Sequence, residues 1–181
     1  MQENTLALLL DFFNIVANLK TVYRQGWVDK LKMEKPESVS DHTFLMSIMA
    51  MIFSDIQKLD TLRVLKMSLL HDLSESYTGD LTPNQISKKE KNSLEKETMI
   101  KIINNLPDEI KDEFINLWDE FQQNKSPESK LVHEIDKLEM ALQAKIYEKE
   151  GFKEIKPFLE SAEKQIQNKQ LKELFTKIIN Q

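Results

Sequence analysis

The sequence predicts an all-α fold, arranged as a single helical bundle, on three observations. Helix-breaking residues are rare, with 3 glycines and 5 prolines among 181 residues. Leucine, lysine, glutamate, isoleucine and methionine are abundant, as is typical of helical proteins. No stretch alternates apolar and polar residues with enough β-branched side chains to predict a sheet. The length is typical of one domain.

Two helices are predicted in the first third of the chain. The first runs from about Asn4 to Arg24 along one apolar stripe and ends at Gln25-Gly26. The segment up to Ser40 is predicted to form a loop, and Ser40 is a suitable N-cap for the second helix, about Asp41–Asp55. The residues of this helix that we expect to face inward are Leu45, Ile48, Met49 and Ile52.

Two more helices are predicted in the middle of the chain. Asp60 can cap a third helix from Thr61 to about Ser74, and the loop Tyr77–Pro83 follows it. A charged fourth helix spans about Gln85–Asn104. Its apolar side is formed by Leu94, Met99, Ile102 and Ile103.

Proline marks the start of the next two helices, because it fits the first turn of a helix. Pro107 opens a helix that carries Phe114, Leu117, Trp118 and Phe121. Ser126 and Pro127 open a long helix that runs to about Glu150, before a stop at Gly151. Its inward residues are expected to be Leu131, Ile135, Leu138, Leu142 and Ile146. Two shorter helices, about 157–167 and 169–179, complete the prediction.

Charge and cysteine content exclude several classes of function. With 30 acidic and 25 basic side chains, the net charge is -5, so no basic surface is available to bind a nucleic-acid polymer. The absence of cysteine excludes disulfides, thiolate zinc sites, iron–sulfur clusters and cysteine nucleophiles. The apolar run Leu6–Leu10 is too short for a signal peptide or a membrane span, so we expect a cytoplasmic protein.

The histidines and their acidic neighbours suggest a metal site. Asp72 follows His71 at the end of a long apolar stretch, where a lone carboxylate would be costly unless a metal ion supplied positive charge. Asp136 lies at the edge of an apolar helix stripe. With His42, these residues form a mixed nitrogen–oxygen set that suits one Mn, Co, Fe, Zn or Ni ion, completed by water or substrate.

Each of these residues also has a structural interpretation when it is considered alone. His42 can be a helix-start residue, and His71 can be a helix-end histidine beside a solvated acid. Asp136 can lie on a solvated helix face. We assign His133, the remaining histidine, to the structure and not to the metal site.

Four blocks of sequence resemble the HD-domain metal-dependent phosphohydrolases, and more closely their 5′-deoxynucleotidase branch. His71–Pro83 (HDLSESYTGDLTP) resembles the family signature. The other blocks, in the expected order, are Arg24–Trp27 (RQGW), Glu37–Phe44 (ESVSDHTF) and Glu134–Ala144 (EIDKLEMALQA). The resemblance implies a single HD domain over residues 1–181, with a catalytic core at about 6–150 and C-terminal helices at about 151–181. It also implies a homodimer.

The same resemblance implies an activity and a set of ligands. The activity is the metal-dependent hydrolysis of (deoxy)nucleoside 5′-monophosphates to nucleoside and phosphate. The cofactor is one divalent ion, and the substrate is a small nucleotide. The family's four metal ligands fall on His42, His71, Asp72 and Asp136.

The remaining functional positions also follow from the resemblance. Glu75 takes the place of the catalytic glutamate, and its spacing of four from His71 puts both on one face of a continuing helix. Asp80 is implied to bind the sugar 3′-hydroxyl or to help protonate the leaving oxygen. Arg24 is implied to contact the phosphate, and Trp27 to pack against the nucleoside. Gln25 and Gly26 separate these two residues, whereas the bacterial enzyme of the branch has them adjacent.

Three alternatives remain open at this point. The first is another HD-domain phosphohydrolase, either a nucleoside triphosphatase or a phosphodiesterase. The second is a metal-bound scaffold without catalysis. The third is a helical interaction protein, suggested by Met46, Met49 and Met51, although methionines at this spacing are also typical of a core.

Overall fold

A computed structural model describes residues 3–181 and confirms the all-α prediction. Within this range the only β pairing is an isolated antiparallel bridge between Tyr23 and Ser38. Ten α-helices and one 3-10 turn follow in the order α1 Glu3–Ala17, the turn Asn18–Lys20, α2 Gln25–Leu31, α3 Val39–Gln57, α4 Thr61–Leu70, α5 Glu75–Thr78, α6 Lys88–Ile103, α7 Asp108–Gln123, α8 Pro127–Lys149, α9 Lys156–Gln165 and α10 Lys169–Ile179.

Helix α8 lies at the centre of the molecule and contacts α3, α4, α7, α9 and α10. Its fully buried side chains include Val132, Ile135, Leu138 and Ala141. As predicted, Ser126 caps the helix by accepting a hydrogen bond from the Ser129 backbone N–H, and Gly151 follows its end with a positive φ. The prediction that Ile146 faces inward is wrong, because this side chain is exposed.

The N-terminal boundary predictions are wrong. Helix α1 ends at Ala17, not Arg24, because residues 22–24 are held extended against the segment before α3. The Arg24 N–H donates to the Glu37 carbonyl, and the Val39 N–H donates to the Val22 carbonyl. The predicted loop contains helix α2, whose Trp27 and Leu31 are buried against Tyr147 and Ile155 of the C-terminal half.

The start and the buried face of α3 also differ from the prediction. Ser38, not Ser40, caps the helix, because Ser38 and Asp41 exchange hydrogen bonds as a capping box. The buried stripe contains Met46 and Ala50, whereas Ile48 and Ile52 are 39% and 48% exposed. The helix is apolar on several sides, so its sequence alone does not determine which side is buried. Contacts with α4 and α8 determine it.

Smaller differences affect the remaining helices. Asp60 caps α4 as predicted, but α4 ends at Leu70 and the short helix α5 follows after a turn. Helix α6 begins after Ser87, which caps it, and Pro107 is the N-cap of α7, not its first residue. Across residues 3–181, every helix is too short or too polar to cross a bilayer.

Candidate metal centre and active site

The capping box of α3 positions His42, the first predicted ligand. His42 lies in the first turn of the helix, directly after Asp41, and its side chain is fully buried. The Tyr23–Ser38 bridge fixes the entry of the chain into α3. The position of the His42 imidazole therefore depends on two features: the capping box of α3 and the β-bridge between Tyr23 and Ser38.

His71 and Asp72 occupy the turn that ends α4. The His71 Nδ1–H donates to the Ser68 carbonyl at 2.7 Å, which directs Nε2 away from the helix. The rings of His71 and His42 lie 5.5 Å apart between centroids. The atoms of His42, His71 and Asp72 that could bind a metal all lie within 4.8 Å of one another. This is the separation expected for ligands of one ion.

Helix α8 brings Asp136 to the same place. Asp136 Oδ1 lies 3.3 Å from His42 Nε2, although the two residues are 94 positions apart in the chain. The Lys137 ammonium also contacts Asp136, at 2.7 Å from Oδ2. Asp136 thus lies beside His42, between α3, the end of α4 and α8, but outside the group of three residues whose ligand atoms are all within 4.8 Å of one another.

The donor chemistry of these four residues fits a divalent ion. The Nε2 atoms of His42 and His71 are buried, yet neither makes a hydrogen bond to any residue in the range 3–181. Carboxylate oxygens are nevertheless close: Asp136 Oδ1 lies 3.3 Å from His42 Nε2, and Asp72 Oδ2 lies 2.9 Å from His71 Nε2. Two unpaired imidazole nitrogens facing carboxylates are the ligand set of an open nitrogen–oxygen metal site.

The charges of the cluster are mutually compensating. Burial alone would raise the pKa of Asp72, but His71 and Arg24 hold it well below its usual range. Burial would likewise raise the pKa of Asp136, and Lys137 and His42 lower it. Burial and the charge of Arg24 depress the pKa of His42, yet the neighbouring carboxylates raise it overall to about 9. Both acids are therefore carboxylates at neutral pH, as metal ligation requires.

Arg24 supplies the cation beside the cluster. Its Nη1 donates to Asp72 Oδ2 at 3.2 Å, and its Nη2 lies 3.9 Å from Asp136 Oδ1. Burial would lower the pKa of Arg24, but Asp72, Asp80 and Asp136 raise it above its usual range, so the guanidinium stays charged. The end of the extended segment 22–24 thus places a planar cation over the acids.

Glu75 is buried at the start of α5, close to the candidate ligands. Its Oε2 has no hydrogen-bond partner in the described part of the chain, and Lys91 Nζ lies 3.7 Å from Oε1. Burial and the negative charges of Asp72 and Asp80 raise the pKa of Glu75 well above its usual range. A buried carboxyl group with a raised pKa at this position suits proton transfer.

A cavity of about 280 Å³ lies beside this cluster; its lining includes the acidic residues and Arg24 but not His42 or His71. Asp80 lies on its wall after the turn at Gly79, whose φ of 70° is readily adopted only by glycine. Asp80 Oδ2 accepts a hydrogen bond from the Gln25 N–H at 2.8 Å and so joins this turn to α2. Further side chains that line the cavity are Arg24, Asp72, Glu75, Lys91, Asp136 and Lys137.

The apolar end of the cavity contains Trp27, Met140 and Phe158. Trp27 is only 2% exposed. Its ring packs on Phe158 at 4.1 Å between centroids, and its Nε1–H donates to Glu37 Oε1 at 2.8 Å. Burial and the charge of Glu139 raise the pKa of Glu37 to about 7. Trp27 therefore shapes this end of the cavity mainly from within the core, and its contact with a nucleoside stays a prediction.

Several residues of this site were not predicted from the sequence. Phe158 comes from α9, in the C-terminal segment for which no role was predicted, and only tertiary packing brings it to the cavity. Lys91 was assigned to a charged helix without a role. Glu139 is fully buried beside His42, and its position within an apolar helix stripe was a usable signal.

His133 stands apart from the four candidate ligands. Its Nε2–H donates to the Phe121 carbonyl at 2.8 Å, and its ring stacks on the Phe121 ring at 4.1 Å. This arrangement agrees with the structural role assigned to it from the sequence.

Comparisons with known proteins identify the family of the chain. The HD-domain family matches residues 16–179. The chain is 45% identical over 149 residues to the 5′-deoxynucleotidase HDDC2 of Dictyostelium discoideum, covering 78% of each chain. It is 41% identical over 141 residues to the Homo sapiens HDDC2, covering 77% of this chain and 68% of the relative.

A solved structure shares the architecture. The PH0347 protein of Pyrococcus horikoshii superimposes with a TM-score of 0.80 and 28% identity, covering 93% of this chain and 97% of that one. The sequence alignment with the Dictyostelium relative covers most of both proteins, and the fold agrees with that of PH0347 over nearly the whole chain. The chain therefore belongs to the HD-domain family, in the group that contains these 5′-deoxynucleotidases.

Proposed function

We propose that the protein is a metal-dependent 5′-deoxynucleotidase that hydrolyses (deoxy)nucleoside 5′-monophosphates to a nucleoside and phosphate. One observation carries this proposal. The possible ligand atoms of His42, His71 and Asp72 lie within 4.8 Å of one another, and Asp136 lies beside His42. Asp72 and Asp136 line a cavity together with Arg24, Glu75 and Asp80. Relatives at 41–45% identity are named for this activity.

In this proposal one divalent ion is held by His42, His71, Asp72 and Asp136. Mn, Co, Fe, Zn and Ni all suit such a ligand set. When bound, the ion supplies Lewis acidity, which lowers the pKa of water and withdraws charge from a phosphoryl oxygen.

Arg24 is proposed to bind the remaining phosphoryl oxygens. A guanidinium offers two parallel N–H donors, which match two oxygens of a phosphate. Its contacts with Asp72 and Asp136 hold it at the polar end of the cavity. Arg24 thereby provides the local positive charge that an acidic protein needs in order to bind an anionic substrate.

Glu75 is proposed to move the protons. Water adds to phosphorus as the bond between phosphorus and the sugar 5′ oxygen breaks, and the proton lost by the water must reach that leaving oxygen. Glu75 is buried on the cavity wall and has the raised pKa that such a transfer needs. Asp80 lies on the same wall, where it binds the sugar 3′-hydroxyl or assists protonation of the leaving oxygen.

A panel of substrates distinguishes this proposal from two alternatives: another HD-domain hydrolase and a metal-bound scaffold without catalysis. The assay measures phosphate released from deoxynucleoside and ribonucleoside monophosphates, deoxynucleoside triphosphates and cyclic dinucleotides. We expect deoxynucleoside monophosphates to be turned over fastest. Faster cleavage of triphosphates or cyclic dinucleotides would assign a different reaction, and metal binding without turnover of any substrate would indicate a scaffold.

Replacing Arg24 should weaken substrate binding without removing the metal. We expect Arg24→Ala to raise KM for a deoxynucleoside monophosphate by about 10–100-fold, as loss of a charge-assisted contact predicts. Metal content should stay at the wild-type value, since a guanidinium is not a metal ligand. The matched control is Arg63→Ala, which removes an exposed arginine paired with Glu120 outside the cavity. An unchanged KM in Arg24→Ala would exclude the phosphate-binding role.

We also propose that the protein is a homodimer formed through α3. Phe44, Ile48, Ile52 and Ile56 recur every fourth residue, so they share one stripe of the helix, and each is 39–70% exposed. No acidic or basic residue other than His42 lies between Asp41 and Asp55. A long apolar stripe of this kind is self-complementary about a two-fold axis.

Light scattering after size exclusion tests the dimer. The wild-type protein should have twice the chain mass of 21.3 kDa, and the double variant Ile48→Asp/Ile52→Asp should have the chain mass. Ile146→Asp, at an exposed apolar position of α8, is the matched control and should stay dimeric. A wild-type mass of one chain would refute the dimer.

A further inference from the structure

A second carboxylate of α8 lies behind His42, on the side away from the cavity. Glu139 follows Asp136 by three residues, so both acids project from one face of the helix. Glu139 Oε2 lies 2.5 Å from His42 Nδ1, and both side chains are fully buried. One helix thus presents a carboxylate to each ring nitrogen of the same imidazole.

The contact with Glu139 determines which nitrogen of His42 is available to an ion. A carboxylate accepts hydrogen bonds, so Nδ1 carries the hydrogen that it donates to Glu139. In the neutral ring Nε2 then keeps its lone pair. Nε2 is the atom that faces Asp136, and it has no hydrogen-bond partner within residues 3–181.

His71 is anchored in the same way but by a different group. Its Nδ1–H donates to the Ser68 backbone carbonyl, which also leaves Nε2 directed toward the candidate ligands. Both rings are therefore fixed at Nδ1 and present Nε2. Only at His42 is the fixing group a side chain, so only there can a substitution remove it.

The contact with His42 is the one hydrogen bond that Glu139 makes in the described part of the chain. Its Oε1 makes no hydrogen bond in the described part of the chain. Glu37 lies close to this pair, and its Oε1 accepts a hydrogen bond from the Trp27 indole N–H. Burying a carboxylate is costly, and the hydrogen bond from His42 offsets part of that cost.

We infer that Glu139 is a positioning residue of the metal centre, which orients His42 and fixes the tautomer that presents Nε2 to the ion. This inference rests on the proposed function, because it requires the metal centre of that proposal. Outer carboxylates that accept from a ligating histidine are a general means of strengthening metal binding.

Cobalt binding and histidine NMR test this role. Co²⁺ affinity is measured by competition with a chromogenic chelator for the full-length wild type, Glu139→Gln and Glu139→Ala. We expect Glu139→Ala to bind Co²⁺ about 10–100-fold more weakly. Glu139→Gln retains the shape and an oxygen acceptor, so its loss should be smaller. If the alanine variant does not fold, the Co²⁺ affinity of Glu139→Gln still tests the role of Glu139.

The ¹⁵N signals of the ring nitrogens provide a readout that simple destabilisation would not change. In the Zn²⁺-loaded wild type, Nδ1 of His42 should carry the hydrogen and Nε2 should not. In Zn²⁺-loaded Glu139→Ala the Nδ1 signal should shift, because its N–H no longer donates to a carboxylate. The matched control is Glu134→Ala on the same helix, whose carboxylate binds the Gln167 and Asn168 backbone N–H groups. Its Co²⁺ affinity and His42 signals should equal those of the wild type.

The outcomes separate this inference from the proposed function. Wild-type affinity and unchanged His42 signals in folded Glu139→Ala would overturn the positioning role and leave the nucleotidase proposal intact. Failure of the wild type to bind Co²⁺ would overturn both.

Discussion

Replacing Glu75 with glutamine is expected to lower kcat by about 10²–10⁴-fold, the range associated with loss of a general acid–base group. Metal content should remain at the wild-type value, because Glu75 is not among the four proposed ligands. The substitution preserves shape but removes the proton-transferring carboxyl group from a buried position on the cavity wall. Phosphate release under substrate saturation, measured beside metal content, gives the result.

Glu95 provides a matched control for this substitution. It contacts the same lysine as Glu75, with Lys91 Nζ at 3.6 Å, but it is not among the cavity-lining residues. Glu95→Gln should therefore retain nearly full kcat. If Glu75→Gln turned over substrate at the wild-type rate, the proton-transfer role would be wrong even if the metal centre were correct.

Replacing Asp72 with alanine should abolish both tight metal binding and phosphate release. The carboxylate is one of the four proposed ligands, and its loss leaves His71 Nε2 and Arg24 Nη1 without the carboxylate oxygen that faces them. Removing an ionised ligand also takes away charge that compensates a divalent cation. Elemental analysis and the phosphate assay, applied to one preparation, test both losses together.

The control for Asp72→Ala is Asp112→Ala, at an exposed position of α7. This variant should retain wild-type metal content and activity. A folded Asp72→Ala protein that bound the ion with wild-type affinity would remove Asp72 from the ligand set. Activity without bound metal would be a more serious contradiction, since the proposed mechanism depends on the ion.

The sequence predicted elements well where local chemistry defines them. Helix α8 begins at a serine–proline pair and ends before a glycine, and both signals act within a few residues. Helix α2 was missed because Gln25-Gly26 is typical of a helix end. Its stability comes from distant contacts, namely the Asp80 carboxylate at its first N–H and the burial of Trp27 against Tyr147.

The same distinction applies to the site. His71 and Asp72 are recognisable because an acid at the end of an apolar stretch needs a partner, and Asp136 is recognisable because it borders an apolar stripe. Glu139 carries a similar signal, but its partner His42 lies 97 positions away. Phe158 reaches the cavity only through the packing of α9 on α8, which no local pattern reports.

The most direct test of the central claim is phosphate release from a deoxynucleoside 5′-monophosphate by one preparation in three states: as purified, after chelation, and after reloading with Mn²⁺ or Co²⁺. We predict loss of activity on chelation and its recovery on reloading, at one ion per chain. Unchanged turnover after complete removal of the metal, or no turnover in the reloaded protein, would contradict a single-ion phosphohydrolase site formed by His42, His71, Asp72 and Asp136.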